Sequence, residues 1–216
     1  MRPNELNRKA IKRTYGNTRN ETIRSRILKY LKGCDTIALP QGKKYNAEDY
    51  WNLPEGQRAE LIEGQLYDMA PPTFIHQKLI SELHFTIKEY IRKKGGDCEV
   101  IPSPFAVNLT GNDRTWVEPD ISVICDKGKL SDRGCEGAPD WIIEIASPST
   151  QSVDYGIKLF KYRTAGVREY WIVNPVTRTV NVFDFQNEKQ TGMFSFDDEI
   201  PVMIYPDFII KIVDML

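Results

Sequence analysis

The sequence predicts an α/β (α+β) domain built on a single mixed β-sheet flanked by helices, and three observations predict it. Short apolar runs of strand length recur in WVEPDISVI, DWIIEIAS and REYWIVN. One long stretch, TFIHQKLISELHFTIKEYIRKKGG, carries an apolar stripe at helical spacing. A second helical stretch, about Ser152 to Thr164, lies between two of the strands, as in a unit that packs a helix on a sheet. A length of 216 residues suits one domain of good size with an appendage.

Taken in order, residues 1–18 look loose, and a short helix is expected from about Asn20 to Lys32. Ile23, Ile27, Leu28 and Leu31 share one of its faces, and Gly33 stops it. A linker, CDTIALPQGKKY, leads to a brief helix, AEDYW, capped by Asn46 and stopped at Leu53-Pro54. The division expected is a basic extension over residues 1–43 and a main domain over 44–216. RAELIEGQLYDMA alternates around Glu63-Gly64, the pattern of a tight hairpin. The long helix then presents Ile75, Leu79, Ile80, Leu83, Ile87, Tyr90 and Ile91 on one side and ends at Gly95-Gly96. CEVIPSPFAVNL is broken by prolines and reads as an edge or a bulge. DWIIEIAS is apolar on both faces, which suits a central strand. Gly166 closes the second helix; REYWIVN is a buried strand, and TRTVNVFDFQ with one further strand before FIIKIVDML completes the body.

The composition is that of an ordinary globular protein, with 41% hydrophobic and 27% charged residues. No apolar run approaches the roughly 20 residues of a membrane helix, and the first residues lack the apolar stretch of a secretory signal, so a cytoplasmic location is expected. Four cysteines (34, 98, 125 and 135) contain no CxxC pair, and there are two histidines, which argues against a zinc site and for reduced thiols. Charge is uneven. Residues 1–32 hold ten Lys or Arg against Glu5 and Glu21, a formal +8, leaving −9 on the remainder. Such an arm suits contact with a polyanion, with Arg24, Arg26 and Lys29 as candidates; it suits a solvated tail equally.

Chemistry is sought among carboxylates carried by apolar strands. Asp120 follows Pro119 in WVEPDISVI, and alternation puts it on the side of Ser122 and Ile124. Glu144 sits between Ile143 and Ile145, where an unpaired carboxylate is costly to bury. Glu63 in ELIEGQL is a third candidate. Three converging carboxylates would suit a hard divalent ion such as Mg²⁺ or Mn²⁺. Lys158 and Lys161, one turn apart on the second helix, could add the positive charge such a site uses. Each has a plainer reading: Asp120 ends a turn, Glu144 pairs with a core Arg, Glu63 is a turn residue. His76 and His84 are eight residues apart, about 12 Å along the helix axis, and cannot share an ion; His76 could reach a site formed by Glu63.

The series ELIEGQLYDMAPPTFIHQ, WVEPDISVI, WIIEIASPST and DYGIKLFKYRTAGVREYWIVNP resembles the Uma2 family of restriction endonuclease-like proteins, within the PD-(D/E)xK nuclease-like superfamily, over about residues 44–214. The resemblance implies a restriction-endonuclease-like core and a metal-dependent phosphodiesterase. The superfamily's Pro-Asp falls on Pro119-Asp120 and its Glu on Glu144, 24 residues later; its Lys is missing, since Ala146 stands there. The family's own Asp and following Lys fall on Asp154 and Lys158, so Lys158 takes the role of the displaced base. Glu63 and His76 match the family's Glu-Gly and His.

The function implied is an endonuclease that hydrolyses DNA through a Mg²⁺-activated water. Asp120, Glu144 and Glu63 would hold the ion, Lys158 would position the water, Asp154 and His76 would support, and Lys161 would join the arm in contacting DNA. Duplex cleavage by paired sites would imply a homodimer. The alternative is a catalytically weak or inactive nuclease fold that binds nucleic acid or protein, favoured by the displaced Lys and the acidic body.

Overall fold

Proline divides two of the expected strands, and at both points the chain passes from one sheet to another. The computed structural model describes residues 43–148, 150–187 and 191–216. The N-terminal helix expected at 20–32, with Arg24, Arg26 and Lys29, lies outside the described residues, as does Cys34.

The first described element, α1 (Ala47–Trp51), begins at a reciprocal cap. Asn46 accepts from the Asp49 amide while Asp49 accepts from the Asn46 amide, so two otherwise orphaned donors are satisfied. Strands β1 (Ala59–Ile62) and β2 (Gln65–Asp68) form the expected hairpin, with Ile62 opposite Gln65. Helix α2 (Phe74–Lys93) follows, with Thr73 capping it through the His76 amide. Of its predicted stripe, Leu79, Ile80, Leu83, Ile87 and Ile91 are buried. Each contributes on the order of 2 kcal/mol of transfer free energy.

The proline-broken stretch yields β3 (Glu99–Pro102) and β4 (Val107–Asn108); WVEPDISVI yields β5 (Trp116–Val117) and β6 (Ile121–Ile124). Then come β7 (Leu130–Ser131), β8 (Gly134–Glu136) and β9 (Trp141–Ile145). Helix α3 opens as Gln151–Val153, widens into a π-helical turn at Asp154–Lys158, and closes as Leu159–Ala165 with Gly166 at φ 96°. The remaining strands are β10 (Glu169–Asn174), β11 (Thr179–Asp184), β12 (Gly192–Ser195), β13 (Ile200–Pro201) and β14 (Ile209–Ile210).

These strands correct the expectation of one sheet. Among the described residues there are two six-stranded sheets, ordered β2-β1-β5-β4-β8-β7 and β12-β11-β10-β9-β6-β3, and a small β13–β14 pair. The physical reason is the prolines. Without an N–H and with φ fixed, Pro119 cannot extend a ladder, so β5 stays in the first sheet beside β1 while β6 joins the second. β3 ends with Pro102 still paired to Ile121, and the reverse crossing to β4 comes after it, at Pro104. The mixed α+β character stands.

In the second sheet β9 is central, parallel to β10 and antiparallel to β6. Trp141, Ile143 and Ile145 pack into the core cluster that includes Leu79, Leu83 and Ile87 of α2. Alternation turns Ile142 and Glu144 to the other face, where Lys158 and Tyr162 of α3 reach Glu144.

The reduced-thiol expectation is also corrected. Register sets Glu99 against Ile124, so Cys98 and Cys125 face each other just past the ends of β3 and β6, with Cα atoms 4.0 Å apart, and form a disulfide. Cys135 is buried and free. Among the described residues, no helix is long and apolar enough to cross a membrane.

Candidate active site

Four acids and a lysine come together from four segments. Glu60 arrives on β1, Asp120 between β5 and β6, Glu144 on β9, and Asp154 and Lys158 on the π-helical turn of α3. All five are buried. Lys158 Nζ lies 2.7 Å from Glu60 Oε2, 3.0 Å from Glu144 Oε1 and 3.6 Å from Asp154 Oδ1. The local reason is spacing. Asp154 and Lys158 are four residues apart on one helix face, while Glu144 and Glu60 lie on strands of different sheets facing that helix.

Further hydrogen bonds to these carboxylates come from the backbone and from tyrosine. Tyr162 donates to Glu144 Oε1 at 2.7 Å, and the Asp120 amide donates to Glu144 Oε2 at 3.3 Å. The Ile145 amide donates to Asp120 Oδ2 at 2.7 Å. The Glu118 amide donates to Glu60 Oε1 at 2.8 Å, and the Glu118 carboxylate in turn accepts from Arg58 (2.6 Å) and Tyr50 (2.9 Å). His76 Nε2 stands 3.3 Å from Asp120 Oδ2.

The electrostatics follow from burial and imbalance. Burial pushes the Glu144 carboxyl well above its usual range against the pull of Lys158, with Asp120, Asp154 and Glu60 adding to the rise. Burial likewise raises Asp154 to about 6, with Lys158 and a Thr150 hydrogen bond opposing. Desolvation alone would lower the Lys158 ammonium, but Glu144, Glu60 and Asp154 outweigh it and hold it protonated far above the usual lysine range. Burial would also lower His76; the hydrogen bond to Asp120 and that residue's charge leave it raised. The cluster is therefore acid-rich: four carboxyl groups face one ammonium and one imidazole.

That surplus, in oxygen donors alone, is the chemistry of a hard cation. Asp120 and Glu144, linked through the Asp120 and Ile145 amides, are the two carboxylates that could share such an ion. Among the described residues no set of three or more His, Cys, Asp or Glu is arranged as a metal cage. Two carboxylates with water and a substrate oxygen filling the other positions is the usual Mg²⁺ arrangement.

Of the residues read from sequence, the structure brings Asp120, Glu144, Asp154, Lys158 and His76 together. It does not bring Glu63 with them. Glu63 sits exposed at the tip of the β1–β2 hairpin with φ 53° and ion-pairs with Lys161. Glu60, three residues earlier, occupies the cluster instead. The signal for Glu60 was the one used for Glu144, a carboxylate flanked by apolar strand residues, Ala59 and Leu61. Tyr162 left no such trace, since a Tyr on an apolar helix face reads as core. His84 binds the Val100 carbonyl at 3.2 Å and is a packing residue.

A family model described as "Uma2: Putative restriction endonuclease" matches residues 47–213. A curated relative, "Uncharacterized protein slr1290" of Synechocystis, is 25% identical over 143 residues, 65% of this chain and 74% of that protein. The fold is similar to that of a solved structure from Anabaena variabilis described as a putative nuclease belonging to DUF820. Its TM-score is 0.64 at 24% identity, covering 79% of this chain and 96% of the other.

Proposed function

The chain belongs to the Uma2 family of putative restriction endonucleases, and from that premise we propose that it is a divalent-cation-dependent endonuclease acting on DNA. The observation that carries the reading is the convergence of Asp120 and Glu144 with the Lys158 ammonium, 3.0 Å from Glu144, although Lys158 comes from a helix rather than from the Glu144 strand.

Asp120 and Glu144 are the residues that would hold Mg²⁺, and the ion when bound supplies Lewis acidity and a lowered pKa for its water. His76 and the Ile145 amide orient Asp120, and Tyr162 and the Asp120 amide orient Glu144. Lys158, kept protonated by three carboxylates, acts as a fixed charge and hydrogen-bond donor toward the attacking water or a phosphate oxygen, not as a base. Glu60 and Asp154 aim it.

A second reading, a nuclease fold that binds without cutting, is favoured by one feature: Lys158 is buried and already paired with three acids. A cleavage assay on supercoiled DNA with Mg²⁺ or Mn²⁺ separates the two. Nicking that disappears with chelator and in Glu144→Gln supports the enzyme. Ion-independent binding without nicking supports the scaffold and defeats the enzyme reading.

A further inference from the structure

Two ion pairs run side by side between the β1 hairpin and α3. The inner one is Glu60–Lys158, with side chains 6% and 5% exposed. The outer one, three residues further along each element, is Glu63–Lys161, with side chains 44% and 18% exposed. The inner pair belongs to the cluster described above. The outer pair can be reached from solvent, and its acid sits in an improbable place.

Glu63 and Gly64 occupy the two central positions of the hairpin turn with φ 53° and 80°. Both being left-handed, such a turn favours Asn-Gly, and a Glu at the first position is disfavoured. A carboxylate kept against local preference points to a use for the carboxylate. Its surroundings are basic. The backbone of the turn bonds to two neighbouring segments, Tyr45 N to Gly64 O at 2.8 Å and Gly64 N to Arg114 O at 3.0 Å. A Cβ built at Gly64 would lie 3.6 Å from Lys44 Cβ and 3.8 Å from Arg114 Cδ. Lys44 and Arg114 are exposed. Side chains of Lys44 and Arg114 thus start out beside Gly64 while Lys161 pairs with Glu63, so three segments bring basic residues to this turn; Asp113 precedes Arg114, and Asp49 pairs with Lys43 in the same segment as Lys44. Burial lowers the Lys161 pKa, so its charge is costly without an anion at hand.

We propose that this basic rim is the contact surface for the sugar-phosphate backbone of a nucleic acid, and that Glu63 is a built-in stand-in for phosphate that holds Lys161 until a substrate phosphate displaces it. The inference rests on the nuclease reading for the identity of the polyanion. The outer pair adjoins the inner one, so the phosphate gripped by Lys161 neighbours the group presented to Asp120, Glu144 and Lys158.

The test is binding of a labelled 30-base-pair duplex, measured by anisotropy in EDTA over a series of salt concentrations. Glu63→Asn suits the turn, keeps the fold and frees Lys161; it should bind about 3- to 10-fold tighter than the unaltered chain. Lys161→Met placed in the Glu63→Asn background should abolish that gain and flatten the salt dependence by about one counterion. Equal binding by Glu63→Asn and the unaltered chain overturns the proposal, as does a gain that survives in the double variant or an absence of binding in all of them. Thermal melting confirms that each variant is folded. Mg²⁺-dependent nicking and its loss in Glu144→Gln judge the nuclease reading separately, since the binding arm contains no divalent ion.

Discussion

Asp120 and Glu144 hold each other through backbone amides: the Asp120 N–H donates to Glu144 Oε2 at 3.3 Å, and the Ile145 N–H, next in chain to Glu144, donates to Asp120 Oδ2 at 2.7 Å. The two carboxylates therefore form one unit tied across β6 and β9, and a change in either alters both.

That linkage separates charge from hydrogen bonding. Asp120→Asn keeps an oxygen for the Ile145 amide, whereas Asp120→Ala leaves a buried N–H unsatisfied at about 1–3 kcal/mol. If Asp120 holds the ion as proposed, both should lose cation-dependent nicking by at least about 100-fold. Urea unfolding should place Asp120→Asn closer to the unaltered protein than Asp120→Ala. Equal destabilisation of the two would deny Asp120 its structural bond.

Lys158 is the single ammonium among three carboxyl groups, so Lys158→Met leaves a buried acid cluster without its counter-charge. The expected cost is about 3–5 kcal/mol. Adding Glu60→Gln removes one acid of that cluster and should recover part of the loss. A double-mutant cycle in denaturant measures this, and strictly additive losses would show that Glu60 and Lys158 are not coupled.

Glu169 gives a pH dependence away from the site. Burial, with Asp184 adding to it, raises its carboxyl from an ordinary value near 4.5 to about 7, against hydrogen bonds from the Ile204 and Met203 backbone and from Trp171. The folded state thus binds the proton more tightly than the unfolded chain. The stabilisation is complete below about pH 4.5 and is lost as pH rises through about 7, amounting to as much as about 3 kcal/mol. Urea midpoints at pH 5 and 8, compared with those of Glu169→Gln, report it. The same slope in Glu169→Gln would place the effect elsewhere.

The Cys98–Cys125 bond closes a loop with a sequence separation of 27. Chain-entropy arguments assign about 3–4 kcal/mol to a loop of that length. Dithiothreitol should lower the urea midpoint of the unaltered protein and leave that of Cys98→Ser, already lowered, unmoved. A midpoint insensitive to reductant would mean that the two thiols are not joined.

The elements themselves were legible wherever local chemistry decides them: Asn46 as a cap, Glu63-Gly64 as a turn, the α2 stripe, and the apolar β9 and β10. Asp120, Glu144 and Lys158 could be singled out because a charge inside an apolar run, or a charge matching a family motif, stands out along one dimension. Three things could not be read that way. The partition into two sheets depends on which strand each proline-terminated segment meets next. The turning of Glu63 outward to Lys161, away from the acid cluster, depends on which way the hairpin faces α3. The Cys98–Cys125 pairing depends on the register of β3 against β6. Sequence determines periodicity and side-chain chemistry, which are local; only the packed structure decides which distant groups share a dry space, because burial and charge pairing are energies between segments rather than properties of any one of them.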